Sequence, residues 1–342
     1  MDVSDYYRGK SILVTGGVGS IGKELVKEIL KLDVKALRVL DNNETGLFDL
    51  GNELRSDKIR LLVGDIRDKE RLKRAMEGID IVFHAAALKH VPLCEYNPFD
   101  AVKTNILGTQ NVLNVALDEE VEKVIVISTD KAANPVNVMG ATKLLAERLT
   151  LSANSYKGNR KTVFSCVRFG NVMATRGSVI PLFMKQIREG GPVTVTDPDM
   201  TRFIMDIKKA TDLILKAGKM AQYGEIFIFK MPVIKIGDLV EAMISFCSEK
   251  KGQNIKDIEI KIIGTRPGEK KNEELMTEAE SEYAYENENM FIVLPSYTLD
   301  EFQNIVLPEG FCKSLKNRYS SSDEVPLPKK ELINLLNKLI PC

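Results

Sequence analysis

Ser11-Ile-Leu-Val-Thr-Gly-Gly-Val-Gly-Ser-Ile-Gly22 begins as an apolar strand, passes through Gly16, Gly17, Gly19 and Gly22, and runs into the amphipathic pattern Lys23 to Leu32. The stretch parses as Gly-x-x-Gly-x-x-Gly from Gly16 or as Gly-x-Gly-x-x-Gly from Gly17. In a turn from strand to helix, missing side chains allow a tight bend, close approach of a pyrophosphate and close helix packing. A glycine triplet alone is weak evidence. Here the preceding strand, the following helix and Asp41, nineteen residues beyond Gly22 at the end of a second strand, agree. Gly16, Gly19, Ser20, Ile21 and Gly22 are therefore candidates for holding a dinucleotide. Asp41 can accept hydrogen bonds from the adenosine ribose hydroxyls and would repel a 2′-phosphate, and no arginine follows in Asn42-Asn43-Glu44, which favours NAD over NADP.

The same alternation continues outward. Arg38 to Asp41, Arg60 to Asp65, Asp80 to Ala87, Val124 to Ile127 and Thr162 to Val167 read as further strands with helical patterns between them. Strands alternating with helices give an α/β chain with a doubly wound parallel (Rossmann) sheet. Asp65-Ile66 falls where the adenine edge would lie, although Asp65 reads almost as well as a loop carboxylate capping the helix that begins near Asp68. After Phe169-Gly170-Asn171 the texture turns to loops rich in Gly, Pro and Asp. We expect residues 1–170 to form the dinucleotide-binding domain, with segments near 203–232 returning to it. Residues 171–342 should form mainly a smaller α/β substrate lobe and a polar tail that wraps the body or mediates assembly.

The stretch Ser128-Thr-Asp-Lys131 follows the buried run Val124 to Ile127, at the carboxyl end of a parallel strand where open α/β sheets put ligands. Met139-Gly-Ala-Thr-Lys143 opens a helix, and the spacing of four puts Met139 and Lys143 on one face. Lys plus Arg equals Asp plus Glu at 48 each, so no net field draws the chain to nucleic acid or a membrane surface. The cysteines lack Cys-x-x-Cys pairs, and His84 and His90 alone make no metal constellation. No apolar run approaches spanning length, and the setting expected is reducing and cytoplasmic.

Thr15 to Gly22, Asp65, His84-Ala85-Ala86-Ala87 and the Met139-x-x-x-Lys143 helix resemble an extended short-chain dehydrogenase/reductase. Most members carry Tyr-x-x-x-Lys, and here Met139 stands in the tyrosine's place. His84 to Pro92, Glu95 to Phe99, Thr104-Asn-Ile106, Ser128 to Lys131, Arg168 to Asn171, Arg176 to Pro181, Met200 to Phe203 and Gly264 to Lys270 together resemble the UDP-N-acetylglucosamine 4,6-dehydratases of bacterial polysaccharide biosynthesis. The likeness spans nearly the whole chain. One departure is Lys271-Asn272, where an apolar-aromatic pair is usual. The resemblance implies a homo-oligomer, dimer or hexamer. Tyrosine at 139 is typical of small members that invert C5 and methionine of larger, membrane-anchored members that retain it, which tips the expectation toward retention.

The resemblance also implies oxidation at sugar C4, loss of water across C5 and C6, and hydride return to C6. Elimination needs an acid and a base on adjacent atoms. Asp130 would be the protonated acid and Lys131 the neutral base, roles that could be partly exchanged, with Thr129 or Asp130 handling the C4 hydroxyl proton. Lys143 would hold the nicotinamide ribose, Ser128, Ala85 and Ala87 would lie along the cofactor, and Asn105 would brace the active-site strands beside it. Arg202 and Arg266 are the diphosphate candidates, because guanidinium forks match phosphate oxygens. Asn171, Ser178 and Val179 would meet diphosphate and sugar, Thr194 the uracil, Glu269 the uridine ribose, and Lys89 and Met139 the sugar pocket. Alternatives are a variant stopping at the 5,6-ene, a UDP-sugar 4-epimerase and a non-catalytic NAD-binding sensor.

Overall fold

A computed structural model of the chain describes residues 2–173, 179–251, 258–295 and 305–339. Its centre is a ten-stranded sheet. Six strands, β1 (Ser11–Thr15), β2 (Ala36–Asp41), β3 (Ile59–Val63), β4 (Ile81–His84), β5 (Lys123–Ile127) and β6 (Val163–Arg168), lie parallel in the order β3-β2-β1-β4-β5-β6. That is the doubly wound order, and the reversal between β1 and β4 opens a crevice at the strands' carboxyl ends. All five residues of β1 and all four of β4 are buried, as expected of strands covered by helices on both faces. The helix Ser20–Leu30 buries Gly22, Leu25, Val26 and Ile29 on one stripe.

The sheet is wider than the sequence suggests. Ile226–Phe229 adds parallel to β6, and Met290–Val293, Ala284–Glu286 and Cys312–Lys313 extend it antiparallel. The last of these comes from the polar tail, where Cys312 and Lys313 are both exposed and take strand geometry from their partner. The parallel strands also end earlier than the apolar runs suggest. β3 stops at Val63 and β4 at His84, leaving Asp65, Ala85 and Ala87 in the loops that face the crevice.

Beyond Arg168 the chain builds a second, smaller layer. Asn171–Val172, Thr201–Met205 and Val233–Lys235 form one short sheet, and Val193–Val195 pairs with Ile260–Ile262 in another. Helices Val179–Arg188, Ile236–Lys251 and Lys329–Leu339 enclose a separate core that includes Phe183, Leu239, Met243, Leu332 and Leu336. The tail wraps the body: Tyr319–Ser320 pairs with Glu274–Met276, and its final helix completes this second core.

Candidate active site

A cavity of about 1140 Å³ runs from the glycine turn to the second layer. At one end Gly16 has φ +68°, and a Cβ on it would lie 2.6 Å from Ala86 N. A Cβ on Gly22 would lie 2.2 Å from Gly16 O, so the first helix can start this close to the strand only as glycine. Gly19 caps that helix, whose first residues Ser20, Ile21 and Gly22 line the cavity with Gly16. Asp41 lines it too, its carboxylate accepting from Val18 N at 3.1 Å and Asn43 N at 3.0 Å. Asp65, Ile66, Ala85 and Ala87 follow along the same wall. Asp68, not Asp65, caps the next helix by accepting from Arg71 N, while Asp65 pairs with Arg67 at 2.6 Å, and that hydrogen bond chiefly holds its carboxyl below the usual value.

The middle of the cavity is built by the end of β5. Ser128 is buried and its hydroxyl finds no hydrogen-bond partner among the described residues, an orphan polar atom beside the cavity. Asp130 is 1% exposed, with Thr129 Oγ1 donating to its Oδ1 at 2.7 Å and Lys131 Nζ reaching its two oxygens at 3.1 and 3.0 Å. Lys143 is buried on the helix Val138–Tyr156 and donates from Nζ to Ile127 O at 2.7 Å. Burial, the larger effect, pulls its pKa below the lysine norm, and Glu147 pulls it partly back. Met139, one turn earlier, is 3% exposed and packs with Cys94 and Ala101 while facing the cavity.

A residue absent from the sequence-based expectations completes this centre. Glu273 is buried, with its carboxylate 3.9 Å from Lys131 and 3.4 Å from Arg202 Nε. Asn171 Nδ2 donates to both its oxygens at 2.7 and 2.8 Å, and Phe203 N to one at 2.9 Å. Burial disfavours a charge on Lys131, but Asp130 and Glu273 outweigh it and raise the amine above the usual lysine value. That direction favours the ammonium at Lys131, the opposite of the free base expected there. Burial first, then Asp130, pushes the Glu273 carboxyl up, against Lys131 and Arg202. No local pattern in Lys270-Lys-Asn-Glu-Glu274 distinguishes Glu273 from a solvated charge run, because its burial depends on strands far away in sequence.

At the far end Lys89, Asn171, Arg202, Arg266 and Glu269 line the cavity, and Lys270 joins them with its Nζ 2.6 Å from Ala133 O. Arg202 is more committed than a free phosphate clamp. It donates to Thr201 O, Lys271 O and Lys270 O at 2.8, 3.0 and 2.9 Å, so its fork fixes the 269–273 segment. Three expected contacts lie elsewhere. Asn105 stands behind the wall, bonding Leu88 N, Leu88 O and Thr142 Oγ1, and so braces rather than touches the cavity. Thr194 is bonded to Gln186, and Val179 opens a helix packed on the second core; neither lines the cavity. Ser178 lies outside the described residues.

A parallel sheet in this order, a glycine cradle, and a buried lysine on the helix beside the switch point define an extended short-chain dehydrogenase/reductase fold. The chain belongs to the family described as polysaccharide biosynthesis protein, whose sequence model matches residues 12–295. It is 60% identical over 99% of its length to an uncharacterized membrane protein of Methanocaldococcus jannaschii, covering 98% of that protein. It is 40% identical over 97% of its length to a UDP-N-acetylglucosamine 4,6-dehydratase (inverting) of Campylobacter jejuni, covering 98% of it. A UDP-glucose 4-epimerase of Rickettsia rickettsii is 42% identical over 79% of each chain. Among solved structures, Pen from Bacillus thuringiensis superposes with a TM-score of 0.89 at 46% identity, covering 98% of this chain and all of that one. Among the described residues no helix is long and apolar enough to cross a membrane, and no group of His, Cys, Asp or Glu could hold a metal ion.

Proposed function

We propose that this protein is a nucleotide-sugar dehydratase that takes UDP-N-acetylglucosamine to a UDP-4-keto-6-deoxy sugar. The observation that carries the reading is the hydrogen-bonded Thr129-Asp130-Lys131 cluster, built on the buried Asp130, between the glycine cradle and the Arg266 end of one cavity. The cradle, Asp41, the orphan Ser128 hydroxyl and Lys143 fit a nicotinamide dinucleotide, NAD rather than NADP because Asp41 would repel a 2′-phosphate. That cofactor supplies a hydride acceptor for C4 and a donor for C6. Arg266, Lys89 and Asn171 would bind the diphosphate and sugar.

The elimination requires protonated Asp130 beside neutral Lys131. This tautomer differs from the resting ion pair by one proton moved along a 3.0 Å hydrogen bond, with no change in net charge. From it Lys131 takes the C5 proton, made acidic by the 4-keto group, as Asp130 protonates the departing C6 hydroxyl. Lys131 then returns its proton to C5. The proton lost from the C4 hydroxyl through Thr129 replaces the one that leaves in water. Met139 offers no proton to the opposite face of C5, which supports retention. A homo-oligomer, dimer or hexamer, is part of this reading; Tyr96 and Phe99, 88% and 79% exposed, offer it an apolar face.

Incubation with UDP-N-acetylglucosamine in heavy water, followed by NMR, should show a 4-keto-6-deoxy product with deuterium at C5. Recovery of substrate with the C6 oxygen in place would sink the reading, inversion at C4 would make the protein an epimerase, and a 5,6-ene product would mean hydride returns to C4. Gly22→Ala should weaken NAD binding on the order of tenfold or more, since overpacking of ~1–3 kcal/mol acts on the turn itself. Calorimetry reads it, and parental affinity would place the dinucleotide elsewhere.

A further inference from the structure

We propose that Glu273 is the positioning residue of the proton-transfer centre: its carboxylate balances Arg202, so that Asp130 and Lys131 exchange their proton as a pair of zero net charge. The inference rests on the reading of Asp130 and Lys131 given above and adds a third group to it.

The geometry is specific. Arg202 sends Nε to Glu273 at 3.4 Å and its outer nitrogens to backbone carbonyls, leaving Glu273 as the nearer of its two carboxylate partners, with Glu269 at 3.5 Å from Nη2. Asp130 and Lys131 face the same point from the end of β5, Arg202 from the strand Thr201–Met205, and Lys270, Glu273 and Glu274 from the segment after Arg266. Without a carboxylate at 273, Arg202 would keep only Glu269 as an anionic partner, and Lys131, only partly exposed, would face that guanidinium with Asp130 alone to offset it. Coulomb repulsion between such charges is strong where water is scarce, and it would drive the proton off Lys131.

Glu273 is also immobilised on every side. Asn171 and Phe203 N hold its carboxylate. Ser321 clamps its backbone, accepting from Glu273 N at 2.8 Å through Oγ and donating from its own N to Glu273 O at 2.8 Å. Ser321 is fully buried, and its hydroxyl also meets Thr201 Oγ1 at 2.7 Å. A carboxylate fixed this firmly, just out of hydrogen-bond reach of Lys131, can set the charge of the pair without competing with Asp130 for its proton. It also offers Lys131 a second anion when Asp130 turns to the sugar.

The raised Lys131 fits this arrangement, since Glu273 is one of the two anions that outweigh burial there; Lys131 and Arg202 in turn favour the charged form of Glu273 against its burial and Asp130. The sign is defined: removing the carboxylate charge lowers the pH at which Lys131 gives up its proton, so the alkaline limb of turnover moves to lower pH.

The test is a titration of Lys131 in the full chain, labelled with ¹³Cε-lysine, with the resonance assigned by its loss in Lys131→Arg. The midpoint should fall in the order parent, Glu273→Asp, Glu273→Gln. Glutamine, with its carbonyl oxygen in the place of Oε2, keeps the bond from Phe203 N and one of the two from Asn171, and aspartate keeps the charge but withdraws it by one methylene. Turnover at neutral pH should fall roughly tenfold in Glu273→Gln, with its alkaline limb displaced in the same order. If only the aspartate variant folds, its midpoint below the parent's supports the proposal. An unchanged midpoint overturns it, whether or not turnover is lost, because a purely structural residue would lower stability without moving Lys131. The titration needs no substrate, so it decides the role of Glu273 even if UDP-N-acetylglucosamine proves not to be the substrate.

Discussion

Lys131→Ala and Asp130→Asn are each expected to lower turnover of UDP-N-acetylglucosamine by roughly 10²–10⁴-fold, the usual contribution of a positioned acid or base. Asp130→Asn is the cleaner of the two. It keeps the shape of a side chain that is 1% exposed and its acceptor for Thr129, but an amide cannot donate a proton to a leaving hydroxyl. Lys131→Ala removes the ammonium that faces Asp130 and Glu273, so its effect on thermal stability has to be measured beside its effect on rate. NAD affinity should stay near the parent's in both variants, because the glycine turn and Asp41 lie at one end of the cavity and neither Asp130 nor Lys131 bonds to them. Rates from product NMR and affinities from calorimetry separate the two properties. Parental turnover in Asp130→Asn would remove the pair from the chemistry.

Arg168→Ala should be the most destabilising single change outside the reacting centre, costing about 3–5 kcal/mol, as expected when one partner of a buried ion cluster is removed. Arg168 is fully buried and binds Glu147 at 2.6 Å, Glu280 at 2.8 Å and Leu275 O at 2.8 Å. It ties β6 to the helix that carries Met139 and Lys143 and to the segment that follows Glu273. Burial works against charge on Glu280, but Arg168 overcomes it and holds that carboxyl down to about 2. The folded value lies below the ordinary one of 4.5, so the ion pair stabilises the fold above pH 4.5 and its contribution is lost as pH falls toward about 2. Thermal unfolding should show a lower midpoint for Arg168→Ala at neutral pH and a gap to the parent that narrows in acid. A constant gap would mean that Arg168 acts by packing alone.

The six parallel strands were legible because each is a short apolar run between helical patterns; β1 and β4 are buried on both faces, and even the edge strand β3, with no buried residue, keeps the run Leu61-Leu62-Val63. The glycine turn, Asp41 and Asp130-Lys131 were legible because they sit at strand ends, where local sequence and position in the fold coincide. Glu273, Lys270 and the backbone commitments of Arg202 were not, because each is defined by a partner far away in the chain. Thr194 and Val179 were assigned by resemblance, and their neighbours Gln186 and the second core draw them away from the cavity. Of the added strands, Met290–Val293 is an apolar run absent from the sequence-based expectations, whereas Ala284–Glu286 and Cys312–Lys313 are short and partly or fully exposed and are formed by the edge they join.

The grip of Ser321 on Glu273 has a consequence for biosynthesis. On the proposed reading the dinucleotide would be held by segments made early, whereas the two backbone bonds that fix Glu273 become available only once translation has passed residue 321. A prematurely terminated polypeptide lacking that serine would keep the glycine turn and Asp41 but lose the anchor of the counter-charge proposed for Glu273, so on this reading sequestering the coenzyme and completing the reaction would mature at different times.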